Sequence, residues 1–251
     1  MHNKKWTWAL LLALLLSATA MGNTQGSCDA VCAKLAGKLT LGTRLTYSIL
    51  ETSTSESFLG TISKLDESKD YIPWKLYAAW QFNPKWGLEL KWDRVTAKTI
   101  TRTEDHHSDG EFEVIGPILD AVYRMNKLGR FSPYAQLGVA WMLGDFKPTQ
   151  WWALGYEHES DWVLLGYTDQ ARNQITRGIE VDDSLGLVAA LGSQIKVTKR
   201  WSGDILLRYM YLENDATFTE YRSGRPIPGT GDANTIPFSH LTLGVGMAYS
   251  F

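Results

Sequence analysis

From Lys38 to Phe251, apolar and polar residues alternate with a period of two, which is the pattern of β-strands whose two faces meet different surroundings. One face of every run is apolar and carries no charged residue. Because the backbone of a closed sheet has no unpaired edge, we expect the first strand (about 38–50) to pair with the last (about 239–251). The eight apolar faces begin at Leu39, Ile72, Trp86, Ile115, Phe131, Leu185, Trp201 and Leu241.

The opposite face combines charged residues with small ones, many of them glycine. Eight strands enclose little volume, so the small-residue face should point inwards. A soluble barrel of the lipocalin type would instead have its apolar face inside. The pattern therefore favours a membrane barrel with lipid outside and a polar lumen inside. The charged residues with inward parity are Arg44, Lys75, Glu89, Lys91, Asp93, Asp120, Arg124, Lys196, Asp204 and Arg208.

Aromatic residues lie at the ends of the strands, as expected where rings sit at the boundary between lipid and water. Trp74, Trp92, Trp141 and Tyr211 fall toward one rim. The girdle at the other rim consists of Phe82, Trp86, Tyr123, Phe131, Trp201, Tyr249 and Phe251.

The connections between the strands alternate in length. Residues 83–85, 125–130 and 198–200 are tight turns, whereas 52–70, 95–111, 144–184 and 213–238 are long. Short periplasmic turns and long extracellular loops are typical of outer-membrane barrels, and an even number of strands leaves both termini in the periplasm.

The N-terminus has the features of a secretory signal peptide. Lys4 and Lys5 precede an apolar run over 8–16, and Ala18-Thr19-Ala20 is a small-x-small cleavage site. We assign 1–20 to the signal peptide, 21–37 to a periplasmic segment and 38–251 to the barrel. In an oxidising compartment the two cysteines can form a disulfide, or they can remain as free or partner-linked thiols. They are Cys28 and Cys32.

Composition narrows the class further. The chain has 25 basic and 27 acidic residues, so its net charge of -2 gives no reason to expect nucleic-acid binding. No run reaches the roughly 18 apolar residues that a membrane-spanning helix needs. The ending Gly246-Met247-Ala248-Tyr249-Ser250-Phe251 has a glycine followed by two alternating aromatic residues.

With the signal peptide and the eight strands, this ending resembles small bacterial outer-membrane β-barrel proteins, a class that includes OmpW-type barrels and the OmpA transmembrane domain. Gly244 departs from the polar residue usual two positions before the glycine. The resemblance implies an all-β fold: an eight-stranded antiparallel up-and-down transmembrane β-barrel with short periplasmic turns and long extracellular loops. It also implies insertion by the barrel assembly machinery, contact with outer-membrane lipid and lipopolysaccharide, and a monomeric state.

The lumen allows two functional hypotheses. In a narrow interior the charges should pair, because an unpaired buried charge is costly. The resulting network would be either a plug or a narrow conductance path.

The second hypothesis concerns an apolar cavity beyond the charges. Resemblance to OmpW-type proteins implies that such a cavity would pass small hydrophobic molecules. The residues expected to line it are Ile118, Met142, Val188, Met210 and Leu212.

Other functions find less support in the sequence. An aromatic-rich loop would suit surface recognition, as in an adhesin, or would pack on itself; its aromatic residues are Trp151, Trp152, Tyr156, Trp162 and Tyr167. Lipid A deacylases of similar architecture use a His-x-Ser arrangement, which Ser239-His240-Leu241-Thr242 does not match. The acidic and histidine residues of 104–109 and 157–159 do not form a closed ligand set. We predict no enzymatic activity, no bound metal and no cofactor.

Overall fold

The computed structural model describes residues 38–50, 62–65, 70–101, 108–156 and 175–251. The predicted signal peptide, Cys28, Cys32, and Trp162 to Tyr167 lie outside the described residues.

The described part of the chain is built almost entirely of strands, with one helical turn, α1 (Gln150–Ala153). The strands are β1 (Leu39–Leu50), β2 (Ile62–Leu65), β3 (Asp70–Gln81), β4 (Trp86–Thr101), β5 (Gly110–Arg124), β6 (Phe131–Pro148), β7 (Ile175–Val181), β8 (Ser184–Lys196), β9 (Trp201–Tyr211), β10 (Glu213–Arg222), β11 (Arg225–Pro226), β12 (Asp232–Pro237) and β13 (His240–Ser250). No helix among the described residues is long and apolar enough to cross a membrane.

Strands β1, β3, β4, β5, β6, β8, β9 and β13 form a closed antiparallel barrel, which confirms the predicted fold. Closure runs between the first and last strands as predicted, from Thr40 opposite Ser250 to Leu50 opposite His240. We call the end with the tight turns the short-turn end and the opposite end the long-loop end.

The orientation of the two faces is also as predicted. Leu76, Leu137 and Leu185 on the outer face are 72%, 68% and 78% exposed, whereas the intervening side chains are largely buried in the lumen. The outer face between the two rims is therefore a continuous apolar band that would be unfavourable in water.

The strands continue beyond the apolar band at the long-loop end, which corrects the predicted loop limits. Residues 95–101 belong to β4 and 144–148 to β6, so neither segment is loop. Strands β7, β10 and β12 form a second sheet with β11; β10 lies between β7 and β12 and begins two residues after β9 ends. This sheet prolongs the wall past the membrane boundary.

Charged side chains mark where the outer face leaves the apolar band. Glu113 accepts hydrogen bonds from Arg94 at 2.9 Å and from Lys147. Partial burial alone would raise the pKa of Glu113, but hydrogen bonds from Lys147 and Arg94 lower it below its usual value. An ionised cluster of this kind belongs in water, so the band ends below it.

One seam of the wall is incomplete. Strands β3 and β4 pair only from Tyr77–Lys91 to Gln81–Gly87, although both strands continue toward the long-loop end. The register between β1 and β3 also shifts here, between Arg44 and Thr46. Pro73 lies in this part of β3 and has no N–H to give to a ladder, which accounts for part of the interruption.

Candidate functional site: the lumen

Arg44 is the centre of a buried ion-pair network in the lower lumen, nearer the short-turn end. Its guanidinium group donates to both oxygens of Glu89, at 2.6 and 3.0 Å, and its Nε donates to Asp204 at 2.5 Å. The guanidinium carbon also lies 3.7 Å from the centre of the Tyr77 ring. The bidentate pair with Glu89 and the bond to Asp204 together link three strands, β1, β4 and β9.

Two tyrosines and a lysine extend the network around the wall. Asp204 accepts hydrogen bonds from the hydroxyl groups of Tyr134 at 2.8 Å and Tyr77 at 3.3 Å. Lys91 contacts Glu89 at 3.5 Å and donates to Asp120 on the neighbouring strand. The network therefore crosses the lumen from β1 to β4, β5, β6 and β9.

A second cluster lies one layer closer to the long-loop end. Asp93 is paired with both Lys75 and Arg208. Arg208 also donates to the hydroxyl group of Thr242 at 3.2 Å, and Ser48 lies 2.9 Å from the same hydroxyl. All these side chains are buried.

The eight charged side chains of these two clusters balance, and a further buried carboxylate, Asp109, lies outside them at the long-loop end. The four cations, Arg44, Lys75, Lys91 and Arg208, are each at most 8% exposed. The four carboxylates, Glu89, Asp93, Asp120 and Asp204, are at most 3% exposed. A charge removed from water costs several kcal/mol unless it is paired, and each of these has an opposite charge within contact.

Two residues with inward parity lie outside this buried set. Arg124 is half-buried near the short-turn end and donates to Gln194 at 3.0 Å. Lys196 is exposed because it is the last residue of β8, so it does not join the ion-pair network.

Above the charges, the lumen becomes apolar. Ile118, Met142, Val188, Met210 and Leu212 are at most 2% exposed and belong to one cluster of buried side chains. The sequence pattern predicted an apolar region here, but the side chains fill it. Parity alone identified these five positions and gave no information about what packs on them.

The filling comes mainly from aromatic residues that the sequence analysis did not place in the lumen. The ring of Trp152 on α1 lies 5.3 Å from that of Phe146 and 6.0 Å from that of Phe218. Phe112 packs between Phe146 and Phe238, at 4.6 and 6.2 Å. These rings close the lumen at the long-loop end, and we call them, with Trp151 and Tyr156, the aromatic cap.

The aromatic cap changes the interpretation of the third loop. Trp151, Trp152 and Tyr156 are at most 4% exposed, so they cannot form an exposed recognition surface. The sequence left open a recognition surface or a segment that packs on itself, because it placed the whole segment in a loop. Where β4, β5 and β6 continue past the apolar band, their inward positions are mostly apolar. This pattern could have revealed the core that these rings join.

The predicted girdle residues lie at the short-turn end. Trp86 packs on Tyr123 at 4.9 Å, Trp201 on Tyr249 at 5.1 Å, and Tyr249 on Phe251 at 5.0 Å. Phe82 and Phe131 are 55% and 51% exposed. Toward the other rim, Trp141 and Tyr211 are exposed and Trp92 is half-buried.

Two small cavities border the ion-pair network. One of about 20 Å³ lies toward the short-turn end beside Arg124, Tyr134 and Gln136. The other, of about 10 Å³, lies at the incomplete seam, where Leu76 and Trp92 flank Lys75. Each has room for about one water molecule and neither forms an open channel.

The remaining chemical candidates show no reactive arrangement in the described residues. His240 is fully buried, and its Nδ1 lies 2.7 Å from the carbonyl oxygen of Phe238. Ser239 instead contacts the backbone of Leu212. No group of three or more His, Cys, Asp or Glu side chains in the described ranges could hold a metal ion.

The described barrel has counterparts among solved structures. The outer membrane protein OprG from Pseudomonas aeruginosa matches with a TM-score of 0.61 and 16% identity, over 86% of this chain and 97% of that one. The outer membrane protein AlkL in lipid bilayers matches with a TM-score of 0.53 and 14% identity, over 86% and 90%. Escherichia coli outer membrane protein W reaches 0.47 at 14% identity, over 86% and 98%.

No protein-family model and no curated protein matches the sequence. The shared fold and the apolar outer band define the class: the chain has the fold of a small, eight-stranded outer-membrane β-barrel protein. Its lumen contains a balanced ion-pair network below a filled apolar region.

Proposed function

We propose that this protein is an integral barrel of the bacterial outer membrane that passes small apolar molecules from its long-loop end into the lipid of the membrane. One observation carries the proposal: the apolar region of the lumen lies directly above the buried ion pairs and beside the incomplete seam between β3 and β4. In this orientation the short turns and both termini of the chain face the periplasm.

The ion-pair network determines where a solute can go. To pass straight through, a molecule would have to separate pairs such as Arg44–Glu89, leaving buried charges without partners. An apolar molecule gains nothing from that polar layer. The lower lumen is therefore a barrier, and the exit has to lie above it.

The incomplete seam provides that exit. Above the Tyr77–Lys91 pair, β3 and β4 share no ladder, so side chains and not backbone hydrogen bonds separate the lumen from the lipid. Val95 and Ala97 of β4 belong to the apolar cluster and lie on the lumen side just above Arg94, where the apolar band ends. The exit therefore lies at the upper edge of the band. Unpaired backbone groups are unfavourable in lipid, so an interruption at this level supports a role of the seam in passage.

Entry requires movement of the aromatic cap. Its helical turn, α1, is only four residues long. Hydrogen bonds beside it include Thr149 N–H to the Asp109 carbonyl at 2.8 Å and Arg177 to the Tyr156 carbonyl at 3.2 Å. An arriving apolar molecule would replace the contacts that Trp152 makes in the closed state.

Uptake of a small apolar dye by intact cells tests this function. We would express the protein in a Gram-negative strain and measure the initial rate at which N-phenyl-1-naphthylamine becomes fluorescent. The variant Met142→Ala with Met210→Ala removes bulk from the apolar region, so we expect uptake to increase several-fold over that of the unchanged protein.

Leu187→Ala with Leu207→Ala is the matched control, because both side chains face outward, at 64% and 44% exposed, on the neighbouring strands β8 and β9. Its uptake should equal that of the unchanged protein. Equal rates in cells with and without the protein, together with no gain in the Met variant, would refute the proposal. Heat-modifiable gel mobility verifies that each variant is folded.

The remaining expectations are part of the same proposal. A barrel of this class acts as a single chain that the barrel assembly machinery inserts among outer-membrane lipid and lipopolysaccharide. We assign it no catalytic reaction. Surface recognition is less well supported, because Trp151, Trp152 and Tyr156 are buried in the aromatic cap and cannot contact a partner.

A further inference from the structure

Charge is distributed unequally between the two ends of the barrel. At the short-turn end, the described residues 38–40, 81–87, 122–132, 194–203 and 248–251 contain eight Lys or Arg and no Asp or Glu. At the long-loop end, residues 62–65, 70, 94–101, 108–115, 144–156, 175–183 and 212–238 contain seven Lys or Arg and twelve Asp or Glu. We call the eight the basic rim: Lys38, Lys85, Arg124, Lys127, Arg130, Lys196, Lys199 and Arg200.

All members of the basic rim except Arg124 are exposed. Apart from Arg124, which donates to Gln194, the lumen does not use them, because the eight charges of its two clusters are already balanced. With no carboxylate side chain at this end of the described structure, their charges add instead of cancelling. The rim is therefore a positive ring around the foot of the barrel.

At all three tight turns, a cationic residue is followed directly by an aromatic residue. Each turn ends on a cation and the following strand begins with an outward aromatic residue of the girdle: Lys85-Trp86, Arg130-Phe131 and Arg200-Trp201. A strand that starts this way places a positive charge just outside the hydrocarbon boundary, which its aromatic ring marks.

Hydrogen bonds within the turns hold these cation–aromatic pairs in place. The side-chain oxygen of Asn83 accepts hydrogen bonds from the backbone N–H groups of Lys85 and Trp86, both at 2.9 Å. Thr198 does the same for Arg200 and Trp201, at 3.3 and 3.0 Å. These local bonds fix the backbone where the chain passes from turn to girdle.

Arg200 ties the basic rim directly to the girdle. Its guanidinium group donates to the hydroxyl group of Tyr249 at 2.9 Å, and the Tyr249 ring packs on that of Trp201. The cation is thus held beside the ring surface that contacts lipid, at the depth of the headgroups. A site for a water-soluble partner would not need this arrangement.

From this geometry we propose that the basic rim binds the phosphate groups of anionic phospholipids in the leaflet that it faces. The proposal rests on the membrane-spanning state of the barrel, which belongs to the proposed function, but does not depend on the passage of any solute. Lipids whose headgroups carry net negative charge, such as phosphatidylglycerol, should accumulate around the foot of the barrel. Zwitterionic phosphatidylcholine has the same phosphate but no net charge, and should not.

Lipid selectivity measured by electron paramagnetic resonance tests the proposal. The full protein is reconstituted in symmetric phosphatidylcholine vesicles with a trace of spin-labelled phosphatidylglycerol or spin-labelled phosphatidylcholine, so that the barrel's orientation does not matter. We expect the motionally restricted fraction to indicate a roughly two- to five-fold preference for phosphatidylglycerol at low salt. In 0.5 M salt the preference should largely disappear.

The variant Lys85→Gln with Arg130→Gln and Arg200→Gln should bring the preference close to one. The matched control, Lys98→Gln with Arg222→Gln and Arg225→Gln, removes three exposed cations from the long-loop end and should keep the preference of the unchanged protein. If the first variant does not fold, Lys85→Arg with Arg130→Lys and Arg200→Lys serves instead and should retain full selectivity.

A lack of selectivity in the unchanged protein would overturn the proposal, and so would equal losses in the two glutamine variants. Binding of soluble polyglutamate without phosphatidylglycerol selectivity would assign the basic rim to a soluble polyanion and also reject it. Dye uptake reports on passage alone, so failure of the proposed function is visible separately.

Discussion

Lys75 on β3 reaches the carboxylate of Asp93 on β4 at the level where the backbone ladder between these two strands has ended. The same ammonium group donates to the carbonyl oxygen of Arg94 at 3.3 Å. Side-chain bonds thus replace the missing backbone pairing at the lower edge of the incomplete seam. This compensates part of the cost of an unpaired strand in lipid.

Asp93 is the carboxylate that balances Lys75 and Arg208 in the upper of the two charged clusters. Asp93→Asn removes the negative charge that lies between the buried cations Lys75 and Arg208. We expect a loss of about 3–5 kcal/mol in the free energy of unfolding, the usual cost of breaking a buried ion pair. Urea titration of the protein folded in lipid vesicles, followed by tryptophan fluorescence, measures it.

Glu113→Gln is the control for this prediction. Glu113 also lies between two cations, Arg94 and Lys147, but these are 46% and 52% exposed. Exposed pairs contribute at most about 1 kcal/mol, so the unfolding curve should move little. Similar losses for the two carboxylates would show that burial does not govern the strength of the lumen pairs.

The Arg44 network predicts an electrically silent barrel. Its pairs fill the lower lumen, so the unchanged protein should show no single-channel conductance in planar bilayers. Arg44→Ala removes the side chain that joins Glu89 to Asp204 and opens room for water between two carboxylates. We expect discrete, cation-selective openings from this variant.

Thr43→Ala is a suitable comparison, because it changes the adjacent residue of β1, whose side chain has the opposite parity. It should stay silent. Openings of equal size in the unchanged protein and in Arg44→Ala would contradict the assignment of the network as a seal.

The parts of the fold that follow from the membrane could be predicted from sequence. Between the two rims the outside is hydrocarbon, so an uncharged outer face identified each barrel strand, its direction and the inward position of residues such as Arg44 and Asp204. Closure through β1 and β13 followed from the need to pair every backbone group.

The part that projects into water follows a different rule, and the same criterion failed there. Beyond Trp92 the outer positions of β4 become Arg94, Thr96 and Lys98, while Val95 and Ala97 point inward. The alternation continues, but now the outer positions are polar and the inner positions are apolar. The criterion of an apolar outer face therefore predicted that the strand ends at the membrane boundary. The aromatic cap depends on these continued strands and could not be placed without them.

Glycine at position 42 makes room for one of the two tyrosines that hold Asp204. A Cβ atom at Gly42 would overlap the ring of Tyr77, whose hydroxyl group donates to Asp204. Gly42→Ala should therefore displace the ring and cost about 1–3 kcal/mol of unfolding free energy. Urea titration in vesicles gives the difference.

Gly244→Ala provides the matched test on the adjacent strand β13. Its added Cβ would lie 3.5 Å from the nearest atom, the Cβ of Leu206, which is an ordinary contact. It should change the unfolding free energy by less than about 0.5 kcal/mol. A larger loss from Gly244→Ala than from Gly42→Ala would show that the space for Tyr77 is not the limiting factor.

Trp152 should be the largest single contributor to the aromatic cap. It is fully buried between Phe146 and Phe218, and Trp152→Ala would leave a cavity the size of an indole ring. We expect a loss of about 3–5 kcal/mol. Trp141→Ala removes the same ring from the lipid-facing side, where it is 57% exposed and lipid can fill the space, so it should cost much less.

Because the cap covers the entrance to the apolar region, Trp152→Ala should also accelerate dye uptake by cells whereas Trp141→Ala should not. A destabilised Trp152→Ala protein with unchanged uptake would mean that the cap stabilises the barrel without controlling entry.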